Sequence, residues 1–137
     1  MPCKFAIIKN FNLSIEKFRN NTSFDEILQF LDTECQNIDF KSANKILTDL
    51  RGCIFNPKDV NISKIRKIQI KYKEKRTPQT IVFLTDTPIE TAYSSLFVQN
   101  NNVLEGKLGV CCTIEKAIDL LNVDIGPNEI EEIIECI

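Results

Sequence analysis

"QTIVFLTD", residues 79–86, is the stretch that sets the fold. Ile81 to Leu84 are apolar without a break, so both faces of this strand need cover. Strands of that kind sit at the centre of parallel sheets, with helices packed on either side. The next segment, "TPIETAYSSLFVQNN" at 87–101, reads as such a helix. Thr87-Pro88-x-Glu90 is a capping box with proline at the first helical position. Ile89, Ala92, Tyr93, Leu96 and Phe97 form its expected inward stripe.

Further strands flank this unit. "NKILTDL" (44–50) and "KLGVCC" (107–112) are both short and apolar-centred. The chain opens with "CKFAII" (3–8) and "LSIEKF" (13–18), joined by the turn "KNFN". The second of these alternates like a half-buried strand, so a β-hairpin is expected. "NTSFDEILQFLDTEC" (21–35) is a helix with a capping box at Ser23-x-x-Glu26. Its inward face is Phe24, Ile27, Leu28, Leu31 and Cys35. "TIEKAIDLLNV" (113–123) turns Ile114, Ala117, Ile118 and Leu121 inward. Strands alternating with helices predict an α/β fold: a mostly parallel sheet of four to five strands, opened by a β-hairpin and covered by helices. Residues 1–125 make one domain. Residues 126–137 form a C-terminal amphipathic helix, with Ile130, Ile133, Ile134 and Ile137 on one face. That face packs on the domain or on a dimer partner.

Composition removes many functions. The chain has 137 residues, 43% of them hydrophobic and 26% charged, enough for one cored domain. A net charge of −2 argues against nucleic acid as a partner. No segment reads as an export signal, and no apolar run reaches the roughly 18 to 20 residues of a membrane span, so a cytoplasmic protein is expected. The six cysteines are then expected reduced, and none forms a Cys-x-x-Cys pair. Histidine is absent, which excludes the usual Ser-His-Asp and Cys-His devices and His-ligated metal sites. No catalytic residue, cofactor or metal is expected.

The candidate site lies in "ILTDLRGCIFNPKDV", residues 46–60. Asp49 ends a strand, Gly52 breaks the chain, and Asn56-Pro57-x-Asp59 starts a helix. That helix is expected from Pro57 to about Arg76, with Ile62, Ile65, Gln69 and Tyr72 inward. Asp49 and Asp86 both end parallel strands, where α/β folds place their crevice. They are either a carboxylate pair for acid–base work or simple turn formers. Together Asp49, Asn56, Lys58, Asp59 and Asp86 make a candidate docking corner. Cys53, beside Arg51 and near the sheet edge, is the candidate reactive thiol. Cys111 and Cys112 are expected as core thiols on opposite faces. The stretch from Lys64 to Arg76 carries seven basic residues and one acid. It is expected as a solvated face, partly neutralised by the acidic tail helix, or as a contact for an acidic partner.

The order of elements resembles the anti-sigma-factor-antagonist (STAS) family and its SEC14-like bacterial relatives. The opening hairpin before "TSFDEILQFL", the strand "ILTDLRGCIF", "TIVFLTD" with the "AYSSLF" helix, and "GVCCTIEKAIDLL" carry the likeness over roughly residues 3–122. The resemblance implies a non-enzymatic domain that binds a protein partner. It also implies a regulatory serine in the switching members where Pro57, Lys58 and Asp59 stand here, so no phosphate switch is expected at that place. The alternative is a small apolar-ligand or lipid carrier, with a cleft between the sheet and the helices at 57–76 and 88–99. Self-association through the tail helix is a further expected partnership.

Overall fold

The computed structural model describes residues 3–75 and 78–137. In chain order these form β1 (Cys3–Ile8), β2 (Leu13–Phe18), β3 (Asn20–Asn21), α1 (Phe24–Cys35), β4 (Lys45–Asp49), β5 (Cys53–Ile54), α2 (Ile62–Lys75), β6 (Thr80–Leu84), α3 (Pro88–Gln99), β7 (Lys107–Cys111), α4 (Ile114–Leu121) and α5 (Pro127–Cys136). The main sheet has the order β1-β2-β4-β6-β7. β1 and β2 are antiparallel and the other pairs parallel. The α/β class, the opening hairpin and the closing helix are as the sequence predicts.

Spatial order follows chain order, so every crossover steps the same way. Right-handed crossovers then place α1, α2 and α3 on one face. The core divides accordingly. Phe18, Ile46, Ile81 and Phe83 point into one layer with Phe30, Ile65, Tyr72, Tyr93 and Phe97 from those helices. Leu13, Ile15, Leu47, Val82 and Leu84 point the other way, under Ile114, Ala117 and Leu121 of α4 and Ile130 and Ile134 of α5. The tail helix therefore buries Ile130 and Ile134 on its own domain, with Ile133 and Ile137 half-buried at the margin.

A small parallel ribbon, β3 with β5, extends β2 and β4 past their ends. Between the pairs Lys17↔Asp49 and Asn20↔Cys53 one strand advances three residues and the other four, which is a bulge. Gly52 sits there at φ 72°, where a side chain would be strained, and a Cβ would stand 3.3 Å from Arg19 Cδ.

Several expectations change. β2 is buried on both faces, so Ser14 and Glu16 point into the core instead of solvent. On α1 the buried set is Phe24, Ile27, Phe30, Leu31 and Glu34, while Leu28 and Cys35 lie at the margin. The helix expected from Pro57 is two pieces. Pro57–Asp59 is a single 3-10 turn capped by Asn56, whose side chain accepts from Lys58 N. The chain then breaks at Val60, and Asn61 caps α2 by accepting from Lys64 N at 3.0 Å. Arg76, the expected end, lies outside the described residues. Ile62 is 45% exposed and Ile68 takes its place inside.

On α3 the buried face is Glu90, Tyr93, Ser94 and Phe97, leaving Ile89 and Ala92 outside. Thr87 makes no side-chain cap. Glu90 instead turns inward to accept from Phe55 N at 3.1 Å. Phe83, Tyr93 and Phe97 pack ring against ring, with centroids 4.8 to 6.1 Å apart, and Tyr72 meets Phe97 at 6.3 Å. These rings pack between the sheet and helices α2 and α3. No helix among the described residues is long and apolar enough to cross a membrane.

Candidate functional site

The carboxyl ends of β2 and β4 place Arg19, Asp49 and Arg51 together, because the bulge swings both arginines back over the last residue of β4. Asp49 is fully buried. Its Oδ1 accepts from Arg51 N and Arg51 Nε, both at 3.0 Å. Its Oδ2 accepts from Arg19 Nη2 at 2.7 Å and Arg51 Nη2 at 3.0 Å. Arg51 reaches on to Glu131 of α5, with Nη1 to Oε1 at 2.7 Å. The hydrogen bond to Asp49, ahead of that to Glu131, holds the Arg51 guanidinium more firmly protonated than usual. Lys17 Nζ donates to the Ile134 carbonyl at 2.7 Å and so closes the last turn of α5.

Asp49 is therefore a fastening. It ties β4 to the bulge and, through Arg51, to α5. Each of its oxygens accepts two hydrogen bonds, and both are sealed from solvent. It also orders its turn through Arg51 N, the simpler of its two expected roles. Asp86 is exposed and lines an open hollow of about 480 Å³ with Lys17, Arg19, Arg51 and Glu131. The two aspartates thus occupy different environments, one buried and one exposed.

The other corner residues lie on the far side of the β3–β5 ribbon. Asn56 and Asp59 line a second hollow, of about 430 Å³, with Ile54 and Pro57. Asp59 is paired with Lys64 across the break before α2. Lys58 is exposed. The expected corner is thus two adjoining hollows with the ribbon between them. Sequence reasoning missed the apolar groups around it. Ile54 is 56% exposed, Ile62 45% and Ile89 38%. All three stand at the carboxyl end of the sheet, on β5 and in the first turns of α2 and α3. For Ile62 and Ile89, the misfit to the expected inward stripes is the signal that marks them.

The remaining candidates are corrected by burial. Cys53 is 2% exposed, and burial pushes its thiol up to about 12, so it is no reactive thiol. Cys112 is exposed and Cys111 only half-buried, because β7 is an edge strand. The basic face of α2 is balanced by Asp59 on Lys64 and Asp32 on Lys71. The acidic tail helix lies on the opposite face of the sheet and does not neutralise it. Arg66, Lys67 and Lys73 stay exposed.

A second polar site was also missed. Ser14 and Glu16 of β2, Thr48 of β4, Glu34 of α1 and Tyr72 of α2 meet inside the first core layer. Ser14 Oγ donates to Glu34 Oε2 at 2.6 Å. Thr48 Oγ1 and Tyr72 OH both donate to Glu16 Oε1 at 2.7 Å. Comparison of the chain with protein-family models, with curated proteins and with solved structures finds no match.

Proposed function

We propose that the chain is a non-enzymatic, STAS-like or SEC14-like binding domain that docks a protein partner at the carboxyl end of its sheet. One observation carries this: Ile54, Ile62 and Ile89, on elements that start from the carboxyl end of the sheet, are all exposed, as are Asn56, Lys58 and Asp86. Isolated exposed apolar residues are ordinary, but a group of them rimmed by polar side chains marks an interaction surface. The rigid fastening of Asp49 beneath them keeps the surface in one shape. No phosphate switch operates at Pro57, Lys58 and Asp59, which hold no hydroxyl. The first turn of α2 does carry an exposed serine, Ser63.

The test compares the chain with an Ile54→Lys/Ile89→Lys variant as bait at near-native expression. The reading expects a specific protein retained by the wild type and lost by the variant, with both unfolding at the same denaturant concentration. Equal retention by the two baits, or no specific protein on either, overturns it.

A further inference from the structure

Glu16 and Glu34 are each fully buried, and among the described residues their bonded partners are hydroxyls. Ser14, Thr48 and Tyr72 supply donors to one oxygen of each carboxyl. The other oxygens, Glu16 Oε2 and Glu34 Oε1, are buried with no protein donor. Ser14 and Glu16 stand two residues apart on one face of β2, so Glu34, held by Ser14, lies beside Glu16. Two ionised carboxylates are acceptors only and could not satisfy each other's stranded oxygens. A single proton between them satisfies both stranded oxygens at once.

The surroundings agree. Among the described residues, the titratable groups facing the pair include Tyr72 of α2, Tyr93 of α3, Cys3 of β1 and Cys35 of α1, which are phenols and thiols. Burial pushes the Cys3 thiol up to about 12, and burial likewise raises both phenols. A buried pair of like charges with no counter-charge is far costlier than a protonated pair.

We propose that Glu16 and Glu34 bind one proton between them in the folded protein, forming a buried acid pair that holds α1 and α2 on the sheet and loosens when the proton leaves. The sign follows from where that proton goes on unfolding. Burial first, then the Glu16 charge, keep the Glu34 carboxyl well above its usual 4.5. The unfolded chain releases this proton near 4.5 and the folded chain keeps it to higher pH. Stability from the pair is therefore complete below about 4.5 and drains away as pH rises through the folded value.

The test is denaturant unfolding across pH for the wild type and Glu34→Gln. The glutamine keeps an oxygen for Ser14 and offers Glu16 a permanent N–H. The wild-type folding constant should fall, relative to the variant, by up to about tenfold per pH unit, the slope of one proton. Parallel curves for the two proteins overturn the proposal. Should the variant not fold, carboxyl ¹³C spectra of the wild type at neutral pH decide. One protonated signal from the pair supports the shared proton, and two ionised signals overturn it. A stoichiometric bound cation in the native mass spectrum overturns it as well.

Discussion

Asp49 and Glu16 lie one register step apart on neighbouring strands, since Glu16 pairs with Thr48 and Lys17 with Asp49. Both carboxyls are fully buried. Their solutions to burial are opposite. Asp49 points toward α5 and is compensated by two guanidinium groups. Glu16 points toward α1 and α2 and has hydroxyls and a second carboxyl instead. Position explains the difference. Asp49 is the last residue of β4, at a bulge, so Arg19 and Arg51 can lay their charged heads on it while staying about a quarter exposed, at 27% and 26%. Glu16 lies mid-strand beneath two helices, with no route for a long cation to reach solvent. Charge is matched by cations at the edge of the sheet and met by hydroxyl donors in its middle.

The sharpest way to break this comparison is Asp49→Ala. It leaves Arg19 without its carboxylate and Arg51 with Glu131 alone, above a buried gap. Removing one partner of a buried ion pair costs about 3 to 5 kcal/mol, and the partial exposure of both arginines puts this case near the lower end. Urea unfolding at neutral pH should show that loss. A cost below about 1 kcal/mol would mean that the arginines gain nothing from the aspartate.

The middle site should respond less. Tyr72→Phe removes one donor to Glu16 Oε1 and leaves the packing against Phe97 intact. A hydrogen bond to a charged group contributes about 1.5 to 3 kcal/mol. Thr48→Val removes the other donor to the same oxygen. Because both serve one acceptor, the double variant should differ from the sum of the singles in a double-mutant cycle. Additive losses would show that the two hydroxyls act independently.

What the sequence made legible was local. The Ser23–Glu26 capping box forms with both bonds, 3.1 and 3.2 Å, because a cap needs only neighbours in the chain. The apolar run of β6 gave its central place, because four apolar residues in a row need cover on both sides. What misled was polarity with a distant partner. Glu90 looked like a cap for its own helix and went instead to Phe55 N, rotating α3 so that Ile89 and Ala92 face out. Glu16 looked like the wet side of a half-buried strand. Yet the same element order that made β2 an interior strand of the sheet also placed helices over both its faces, so its polar residues had to face inward. Asn56-Pro57 looked like the start of α2, since its capping is real, but Asn61 repeats the signal five residues later and captures the helix. The turn and capping signals of residues 46–60 were legible, while the exposure of Ile54, Ile62 and Ile89 came only from tertiary packing.

The smallest effect probes the same guanidinium from its other side. Arg51 also holds Glu131, with Nη1 and Nη2 at 2.7 and 3.3 Å from its carboxylate oxygens. This pair is outside the seal, since the Glu131 side chain is 36% exposed. Exposed pairs contribute about 0.2 to 1 kcal/mol, and salt screens them. Glu131→Gln should therefore cost no more than about 1 kcal/mol at low salt, and the difference from wild type should shrink toward zero near molar salt. Helix α5 should stay seated, because Ile130 and Ile134 are buried beneath it and Lys17 holds its last carbonyls. Amide exchange in α5 should accordingly change little. If Glu131→Gln matched Asp49→Ala in cost, or stripped α5 of its protection, the docking of α5 and not the burial of Asp49 would be what the arginine serves.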